Sequence, residues 1–284
     1  MAKKYEESAN HEEEPEKELS KVDLREVKLC GADLCKADLS KVDLSEANLC
    51  MADLSEADLS KTSLREADLG RANLYRANLR GADLCGADLR EADLNNAKLN
   101  KANLCGADLC RADLCYADLS MADLRGADLS KANMSDADLR EANMQGAIMH
   151  HTNLSNANLS NANLREADMP HADLNGAILY HADLRNTNLR DANMPHTDLR
   201  WVSLSEACLA GTGVIQITVH PWPMTLTPTH VNVGCMRLRH EDVEEGLDTV
   251  LADLERHEAW FKQYLALYHV AREVQKMQQE AADD

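Results

Sequence analysis

A large apolar residue recurs at every fifth position from Leu19 to Leu209 without an insertion or slip. Of these 39 positions, 34 are Leu and five are Met. The residue two places earlier is Ala in 30 of 38 cases, and the residue between them is Asp in 20 cases and Asn in 11. A period kept this strictly indicates a repeat architecture in which each unit packs against its neighbours.

A period of five fits neither an α-helix nor a continuous β-strand. Side chains five apart on a helix are rotated by roughly 140° and scatter around the cylinder. Side chains on a strand alternate between faces, so an odd period sends every second Leu to the wrong face. A short extended triplet followed by a two-residue corner resolves the conflict. The pattern therefore predicts a coil with flat sides and a Leu-filled interior.

Asp or Asn between Ala and Leu requires a physical reason. Carboxylates stacked ~4.8 Å apart in successive coils repel each other by about 1 kcal/mol per neighbour in water. Asp and Asn side chains commonly accept hydrogen bonds from nearby backbone N–H groups in turns. We expect these residues to accept such bonds at the corners of the coil.

The overall composition narrows the class of protein. The chain is 44% hydrophobic but 4% aromatic, and its net charge is −19. Because an acidic chain repels phosphate backbones, direct nucleic-acid binding is disfavoured. The sequence suggests no secretory leader and no membrane-spanning run, so we expect a cytoplasmic protein without membrane contact.

The chain contains nine Cys, an odd number, which favours free thiols over a disulfide framework. Cys30 and Cys50 are twenty residues apart, as are Cys85 and Cys105. Stacking of twenty-residue coils would bring each pair within disulfide range, but side chains in neighbouring in-register strands run parallel, which is a poor geometry for bridging. We expect free surface thiols.

The unit A(D/N)LXX resembles the repeat of the pentapeptide-repeat family and matches it over residues 19–211. The resemblance implies an all-β solenoid, a right-handed quadrilateral β-helix of about ten coils with four pentapeptides in each coil. Gyrase-protecting relatives in this family resemble B-DNA in size, shape and negative charge. The resemblance therefore implies one specific function, a DNA-mimicking modulator of DNA gyrase or another topoisomerase.

Four pentapeptides per coil place two acidic sides opposite each other, each with a net charge of −5. One of them is centred on Leu24 to Leu204 and ends in a corner where four successive coils carry Gly. We interpret these glycines as turn residues that require a positive φ. The alternative is a bare strip that lets a partner approach the backbone. The candidate partner surface on this side consists of Asp83, Asp123, Gly86, Gly106, Gly126 and Gly146.

The composition changes at both ends of the repeat, which divides the chain into four parts. The first is an acidic tail that we expect to be disordered. After the repeat, short β-prone segments between prolines predict a small β cap, and apolar residues at helical spacing then predict one or two amphipathic α-helices. The four parts are residues 1–18, 19–211, 212–239 and 240–284.

Aromatic residues concentrate in the predicted C-terminal helix, at Trp260, Phe261, Tyr264 and Tyr268. Such side chains favour contact with a protein partner or with a second copy of the chain, which would form a homodimer. Packing against the predicted β cap is the alternative.

The sequence contains no recognisable catalytic motif or phosphate-binding loop. The column His151, His171 and Asp191 would hold its side chains in parallel, which suits metal coordination poorly. We expect a non-catalytic scaffold, with no cofactor or metal, that presents charged flat faces and a C-terminal helix to a protein partner. The alternative is the DNA-mimicking modulator of DNA gyrase.

Overall fold

A computed structural model describes residues 24–210, 212, 214–217, 224–226, 230–233, 236–239 and 272. Over the repeat, the middle residue of each pentapeptide pairs with the residue twenty positions later in a parallel bridge, from Lys28 with Asn48 to Asn188 with Cys208. The chain therefore closes one coil every four pentapeptides, as the sequence predicts. We call the five positions small (Ala), middle (Asp or Asn), large (Leu or Met), first corner and second corner.

The large and small positions form one continuous core along the coil. From Leu44 to Leu189, the Leu, Met and Ala side chains at these positions are at most 1% exposed. Burial of each Leu contributes roughly 1.5–3 kcal/mol, so the core is the main source of stability. Alternation of a small and a large side chain lets two neighbouring sides of the coil fill the same interior.

Each backbone N–H of a regular pentapeptide has a defined acceptor, as residues 83–87 illustrate. Asp83 N–H donates to the preceding coil and Leu84 N–H to the following coil, over N···O distances of 2.9 and 2.7 Å. Gly86 N–H donates to Cys105 in the following coil, and Ala87 N–H closes the corner on the carbonyl of Leu84. The remaining donor, Cys85 N–H, lies 3.2 Å from Asp83 Oδ1. The predicted role of Asp and Asn at the middle position is thus confirmed.

Every second-corner residue from Glu26 to Glu206 has a positive φ, between 54° and 70°. The i to i+3 hydrogen bond across a corner, as from Ala87 N–H to Leu84, together with a positive φ at its third residue only, defines a type II turn. Gly fills only a few of these corners, whereas Lys, Glu, Arg, His and Asn fill most of the others. The positive φ predicted for the glycine corner is confirmed, but it is a property of all corners. Non-Gly residues accept this conformation because the coil-to-coil hydrogen bonds fix it on both sides.

Thr replaces Ala at four small positions of the regular coils and satisfies its hydroxyl within the core. Thr152 Oγ1 donates to the carbonyl of Leu129 over 2.8 Å, and Thr62, Thr187 and Thr197 make the equivalent bond to the preceding coil. The acceptor carbonyl already closes a corner and uses its second lone pair for the hydroxyl. A buried polar group is therefore accommodated without an unmatched donor.

Four short strands follow the coil: β1 (Ile215–Ile217), β2 (Met224–Leu226), β3 (His230–Val233) and β4 (Met236–Arg239). They form one antiparallel sheet in the order β1-β2-β3-β4. The sequence predicts a small sheet here but does not anticipate β4. Val214, which precedes β1, is buried in the same core cluster as the coil.

Two other sequence predictions lie almost entirely outside the described residues. The acidic tail, residues 1–18, is one of them. The other is the helical segment 240–284, of which the structure describes Arg272 alone, in a helical conformation.

The prediction of free thiols is wrong for one pair of Cys. Cys30 and Cys50 form a disulfide between stacked first-corner positions, with their Cα atoms 4.7 Å apart. The parallel side chains of stacked coils therefore do not prevent a bridge. The described free thiols are Cys35, Cys85, Cys105, Cys110, Cys115 and Cys208.

Candidate interaction surface

The glycine strip, defined as Gly86, Gly106, Gly126 and Gly146, occupies one corner of four successive coils. Their φ values are 70°, 65°, 65° and 67°. A Cβ built on Gly106, Gly126 or Gly146 would meet no atom within 4 Å, whereas one on Gly86 would lie 3.3 Å from Glu66 Cγ. The backbone is thus open to an approaching molecule from Gly106 to Gly146, and Glu66 partly covers the first glycine.

A column of carboxylates follows the strip on the next side of the coil. Asp68, Asp88, Asp108 and Asp128 pair successively through parallel bridges, and each lies two residues after a second corner. Arg90 binds Asp88 in a bidentate manner, with distances of 2.9 Å from Nε to Oδ1 and 2.5 Å from Nη2 to Oδ2. Its Nε also lies 3.6 Å from Asp108 Oδ2. Arg90 therefore partly neutralises the two middle carboxylates of the column, whereas its ion pairs do not include Asp128.

The Arg90 side chain has a direct effect on the titration of Asp88. Its hydrogen bonds lower the pKa of Asp88 below the usual value, although partial burial acts in the opposite direction. The same two-residue arrangement lowers the pKa of Asp123 through Arg125 and of Asp138 through Arg140. Arg at a first corner therefore relieves repulsion between stacked carboxylates, and Asn side chains that donate to the Asp of the preceding coil do the same elsewhere.

Asp83 and Asp123 lie on the side that ends in the glycine strip, as predicted, but both are paired. Arg65 Nη1 lies 3.0 Å from Asp83 Oδ2, and Arg125 Nη2 lies 2.6 Å from Asp123 Oδ2. Asn103, between them in the same column, donates to Asp83 Oδ1 over 2.8 Å. The structure thus brings the two aspartates and the strip together, with the aspartate charge largely compensated.

An aromatic cluster near the end of the coil was not predicted from the sequence. His181 stacks on Trp201 with ring centroids 5.8 Å apart, Tyr180 packs edge-on against His181 at 4.4 Å, and Arg200 lies over the Tyr180 ring at 5.5 Å. Trp201 is 37% exposed. The twenty-residue separation of His181 from Trp201 and of Tyr180 from Arg200 is the sequence feature that could have predicted this cluster. The predicted aromatic residues Trp260, Phe261, Tyr264 and Tyr268 lie outside the described residues.

A second unforeseen group surrounds His150. Pro170 occupies a first corner and has no N–H, so Asp168 has no corner hydrogen bond to accept. Asp168 Oδ2 instead lies 2.6 Å from His150 Nε2, and its Oδ1 accepts a bond from Asn188 over 2.8 Å. Burial raises the pKa of Asp168, but these two hydrogen bonds outweigh it and hold the pKa below the usual value.

The column predicted as a poor metal site is present as parallel rings. His151 stacks on His171 with an interplanar angle of 8° and a centroid distance of 4.9 Å. Within the part of the chain that the structure describes, no group of three or more His, Cys, Asp or Glu side chains is arranged to hold a metal ion. Among the same residues, no helix has the length and apolar character of a membrane span.

Comparisons with known proteins agree with the geometry of the coil. The family model described as pentapeptide repeats matches in eight copies, over residues 18–50, 52–91, 92–130, 117–156, 152–191 and 182–212. No curated protein sequence matches the chain significantly.

Solved structures of pentapeptide repeat proteins resemble this chain. HetL, involved in regulation of heterocyst differentiation in the cyanobacterium Nostoc sp. strain PCC 7120, is 39% identical. The match covers 66% of this chain and 86% of HetL, with a TM-score of 0.52. A trypsin-treated variant of QnrB1, a plasmid-mediated fluoroquinolone resistance protein, is 22% identical over 65% of this chain and 90% of its own, with a TM-score of 0.47. Pentapeptide repeat proteins form right-handed β-helices, so the twenty-residue coil, the family match and the likeness to HetL lead to one conclusion: the chain belongs to the pentapeptide repeat family.

Proposed function

We propose that this protein is a non-catalytic scaffold that binds a protein partner along the glycine strip. The observation that carries the proposal is the open backbone from Gly106 to Gly146, where a side chain would meet no neighbour within 4 Å. At other corners, residues such as Lys101 and Arg111 extend from the same turn position. The strip therefore exposes backbone across several coils, and the hydrogen bonds between coils hold this backbone in place.

The borders of the strip define the chemistry of the partner. Asp108 and Asp128 follow it on one side, and Cys85, Cys105, Arg125 and Gln145 precede it on the other. Arg125 is engaged by Asp123, whereas the ion pairs of Arg90 are with Asp88 and Asp108 and not with Asp128. An extended segment with Lys or Arg directed toward this aspartate column matches both the shape and the charge.

The relationship to HetL supports a binding role. HetL takes part in regulation of a differentiation process, and its chain matches this one at 39% identity. Its partners and their binding sites do not transfer to this chain. A regulatory interaction through a rigid repeat surface is consistent with both proteins.

The turn geometry provides a direct test, because Asn already occupies the same corner position with φ near 60° at Asn96, Asn156 and Asn161. The triple variant Gly106→Asn, Gly126→Asn and Gly146→Asn fills the strip without demanding a new backbone conformation. Partners are captured from the native host with the wild-type protein, and their affinity for each variant is measured by titration.

We expect at least a tenfold loss of affinity for the strip variant, equivalent to about 1.4 kcal/mol. The matched control is Gly31→Asn with Gly81→Asn, which fills glycine corners outside the strip and should leave affinity unchanged. Equal affinity of both variants and the wild type for the captured protein would contradict the proposal.

A DNA-mimicking modulator of DNA gyrase is the second candidate function. The column Asp68, Asp88, Asp108 and Asp128 favours it, because four carboxylates stack along one side of the rod. Bidentate binding of Asp88 by Arg90 weakens this resemblance to a phosphate backbone. A supercoiling assay separates the candidates: inhibition or drug protection of gyrase well below the DNA concentration supports mimicry, and no effect with excess protein removes it.

Dimerisation through residues 240–284 and location in the cytoplasm stay predictions. Light scattering after size exclusion, on the full chain and on a chain ending at residue 239, tests the first. Twice the monomer mass for the full chain alone is expected. A monomer mass for both chains would dismiss a dimer formed by this segment.

A further inference from the structure

Two free Cys lie stacked beside the glycine strip. Cys85 and Cys105 occupy the first-corner position of successive coils and are each partly exposed. The backbone joins their coils on both sides of the pair, through Leu84 N–H to Asn103 and Gly86 N–H to Cys105, over N···O distances of 2.7 and 3.0 Å. Coil stacking, and not a flexible loop, therefore fixes their separation.

The Cys30–Cys50 disulfide shows that this arrangement accommodates a bond. It joins the same first-corner position of two successive coils, with Cα atoms 4.7 Å apart. Side chains at first corners also reach each other elsewhere, since Cys35 Sγ lies 3.3 Å from Ser55 Oγ and Cys115 Sγ lies 3.2 Å from Ser135 Oγ. The equivalent stacking of the Cys85 and Cys105 corners therefore suits closure by side-chain rotation.

The surroundings make the pair accessible and place cations at both of its ends. A Cβ on Gly106 would meet no atom within 4 Å, so a reagent can approach over the strip. In the same column, Arg65 precedes Cys85 and Arg125 follows Cys105. Asp83 is the main cause of the raised pKa of Arg65, and the Cys85 sulfur contributes to it. The pKa of Arg125 is raised mainly by Asp123, with a contribution from the Cys105 sulfur. The guanidinium groups at the two ends of the pair are thus bound mainly by Asp83 and Asp123.

We propose that Cys85 and Cys105 are a dithiol site that exchanges with low-molecular-weight disulfides and closes to a disulfide between successive coils. The Cys85 thiolate attacks one sulfur of the small disulfide, which forms a mixed disulfide and releases one thiol. The Cys105 thiolate then attacks the Cys85 sulfur, forms the protein disulfide and releases the second thiol. Two protein thiols are oxidised, the small disulfide is reduced to two thiols, and the two protons end on the released thiols.

Cys110 and Cys35 have no Cys in the adjacent coils of their columns and would react without a partner. They also share tryptic peptides with Cys105 and Cys30, at 102–111 and 29–36. The test therefore uses full-length protein carrying Cys35→Ser and Cys110→Ser. This protein is fully reduced, treated with glutathione disulfide, digested with trypsin and analysed by mass spectrometry without reduction.

We expect a cross-link between peptide 81–90, which contains Cys85, and peptide 102–111. Re-formation of the Cys30–Cys50 bond, between peptides 29–36 and 42–61, is the internal positive control. Adding Cys105→Ser should leave peptide 81–90 with a stable glutathionyl group, because the resolving thiol is gone. Ser is compatible with this column, as Ser45 shows.

The decisive contrary result is separate glutathionyl groups on both peptides without a cross-link, while the control pair closes. Modification of neither peptide under conditions that close the control pair would overturn the proposal equally. Binding of the partner protein is not part of this test, so its outcome is independent of the scaffold proposal.

Discussion

The middle and later coils of the repeat differ at their corners, although they share one core. In the middle coils, which we define as residues 102–146, each middle residue from Asn103 to Asn143 is Asp or Asn and accepts the first-corner N–H two residues later. In the later coils, residues 147–201, Ile148 and Ile178 cannot accept such a bond, and Pro170 and Pro195 have no N–H to donate. Both regions keep the same twenty-residue register.

The difference separates what the backbone requires from what the surface is free to vary. Where Asp or Asn serves the corner, one carboxylate or amide oxygen is engaged locally. Where the corner no longer needs it, the side chain makes other contacts, as Asp168 does with His150. The later coils also carry the cluster of Tyr180, His181 and Trp201. Pro170 is thus a departure from the repeat that coincides with a surface contact outside the repeat pattern.

The largest expected effect tests whether the core is the same in both regions. Leu124 and Leu164 are each 0% exposed at the large position. Leu124→Ala and Leu164→Ala should each lower the free energy of unfolding by about 2–5 kcal/mol, from lost burial and the cavity left behind. Urea unfolding followed by circular dichroism measures both. A loss at one site that is less than half of the loss at the other would show that the two regions do not share an equivalent core.

A pair of opposite substitutions tests the corner bond itself. Asp118→Ala removes the acceptor of Ser120 N–H, now at 3.0 Å, and should destabilise the middle coils by about 1 kcal/mol. Ile178→Asn supplies the missing acceptor to Tyr180 N–H and replaces a side chain that is 38% exposed, so it should stabilise the later coils by up to about 1 kcal/mol. Thermal unfolding midpoints give both signs. Destabilisation by Ile178→Asn would show that Ile178 has a packing role.

Pro170→Ala restores a backbone N–H at the first corner, which can then donate to the Asp168 carboxylate. The unfolded chain gains freedom, so a loss of about 0.4–1 kcal/mol is expected, partly offset by the new corner bond. Competition for the Asp168 carboxylate should weaken its bond to His150 and change the pKa of Asp168, which carboxyl NMR reports. His150→Ala in the same measurement should raise the Asp168 pKa toward the usual value, since it removes a bond that lowers it. An unaltered Asp168 pKa in both variants would contradict this role of His150.

The smallest expected effect is on the dependence of stability on acid pH. Because Arg140 lowers the pKa of Asp138 in the folded state, this pair stabilises the protein above the unfolded-state pKa, near 4, and the contribution disappears as pH falls through the folded-state pKa. Arg140→Gln should therefore lower the melting temperature slightly at pH 7 and by less as the pH falls below the folded-state pKa of Asp138. A difference from the wild type that does not change with pH would assign Arg140 a role in packing and not in charge.

The sequence predicts the structural features that are the same in every pentapeptide. The register follows from the period of Leu and Ala, and the corner role of Asp83 follows from the chemistry of Asp beside a turn. The positive φ predicted at Gly106 extends to Lys101 and Glu141, which a glycine signal alone does not reveal because neither residue favours that conformation in isolation.

Features that depend on a single unrepeated neighbour were harder to predict. Pairing of His150 with Asp168 depends on Pro170 in the same pentapeptide and on side-chain rotamers in two coils. Cys30 and Cys50 form a disulfide, whereas Cys85 and Cys105 are free thiols. The spacing does not predict this difference, because both pairs are twenty residues apart. Strand β4 follows Gly234 and Cys235 and carries alternating Arg residues, so it lacks the apolar run that marked the other strands.

Pairing of each residue with the one twenty positions later has a consequence for how such a chain can change in length. Insertion of five residues would leave every Leu inside, yet it would turn all downstream surface groups by a quarter of a revolution. Tyr180 and Trp201 would then face a different direction from the one they share with Lys101 today. Only a change by a whole coil preserves both the interior and the direction of everything that follows. The coil can therefore be lengthened without reorienting its surface, whereas reorienting the surface always adds or removes a fraction of a coil.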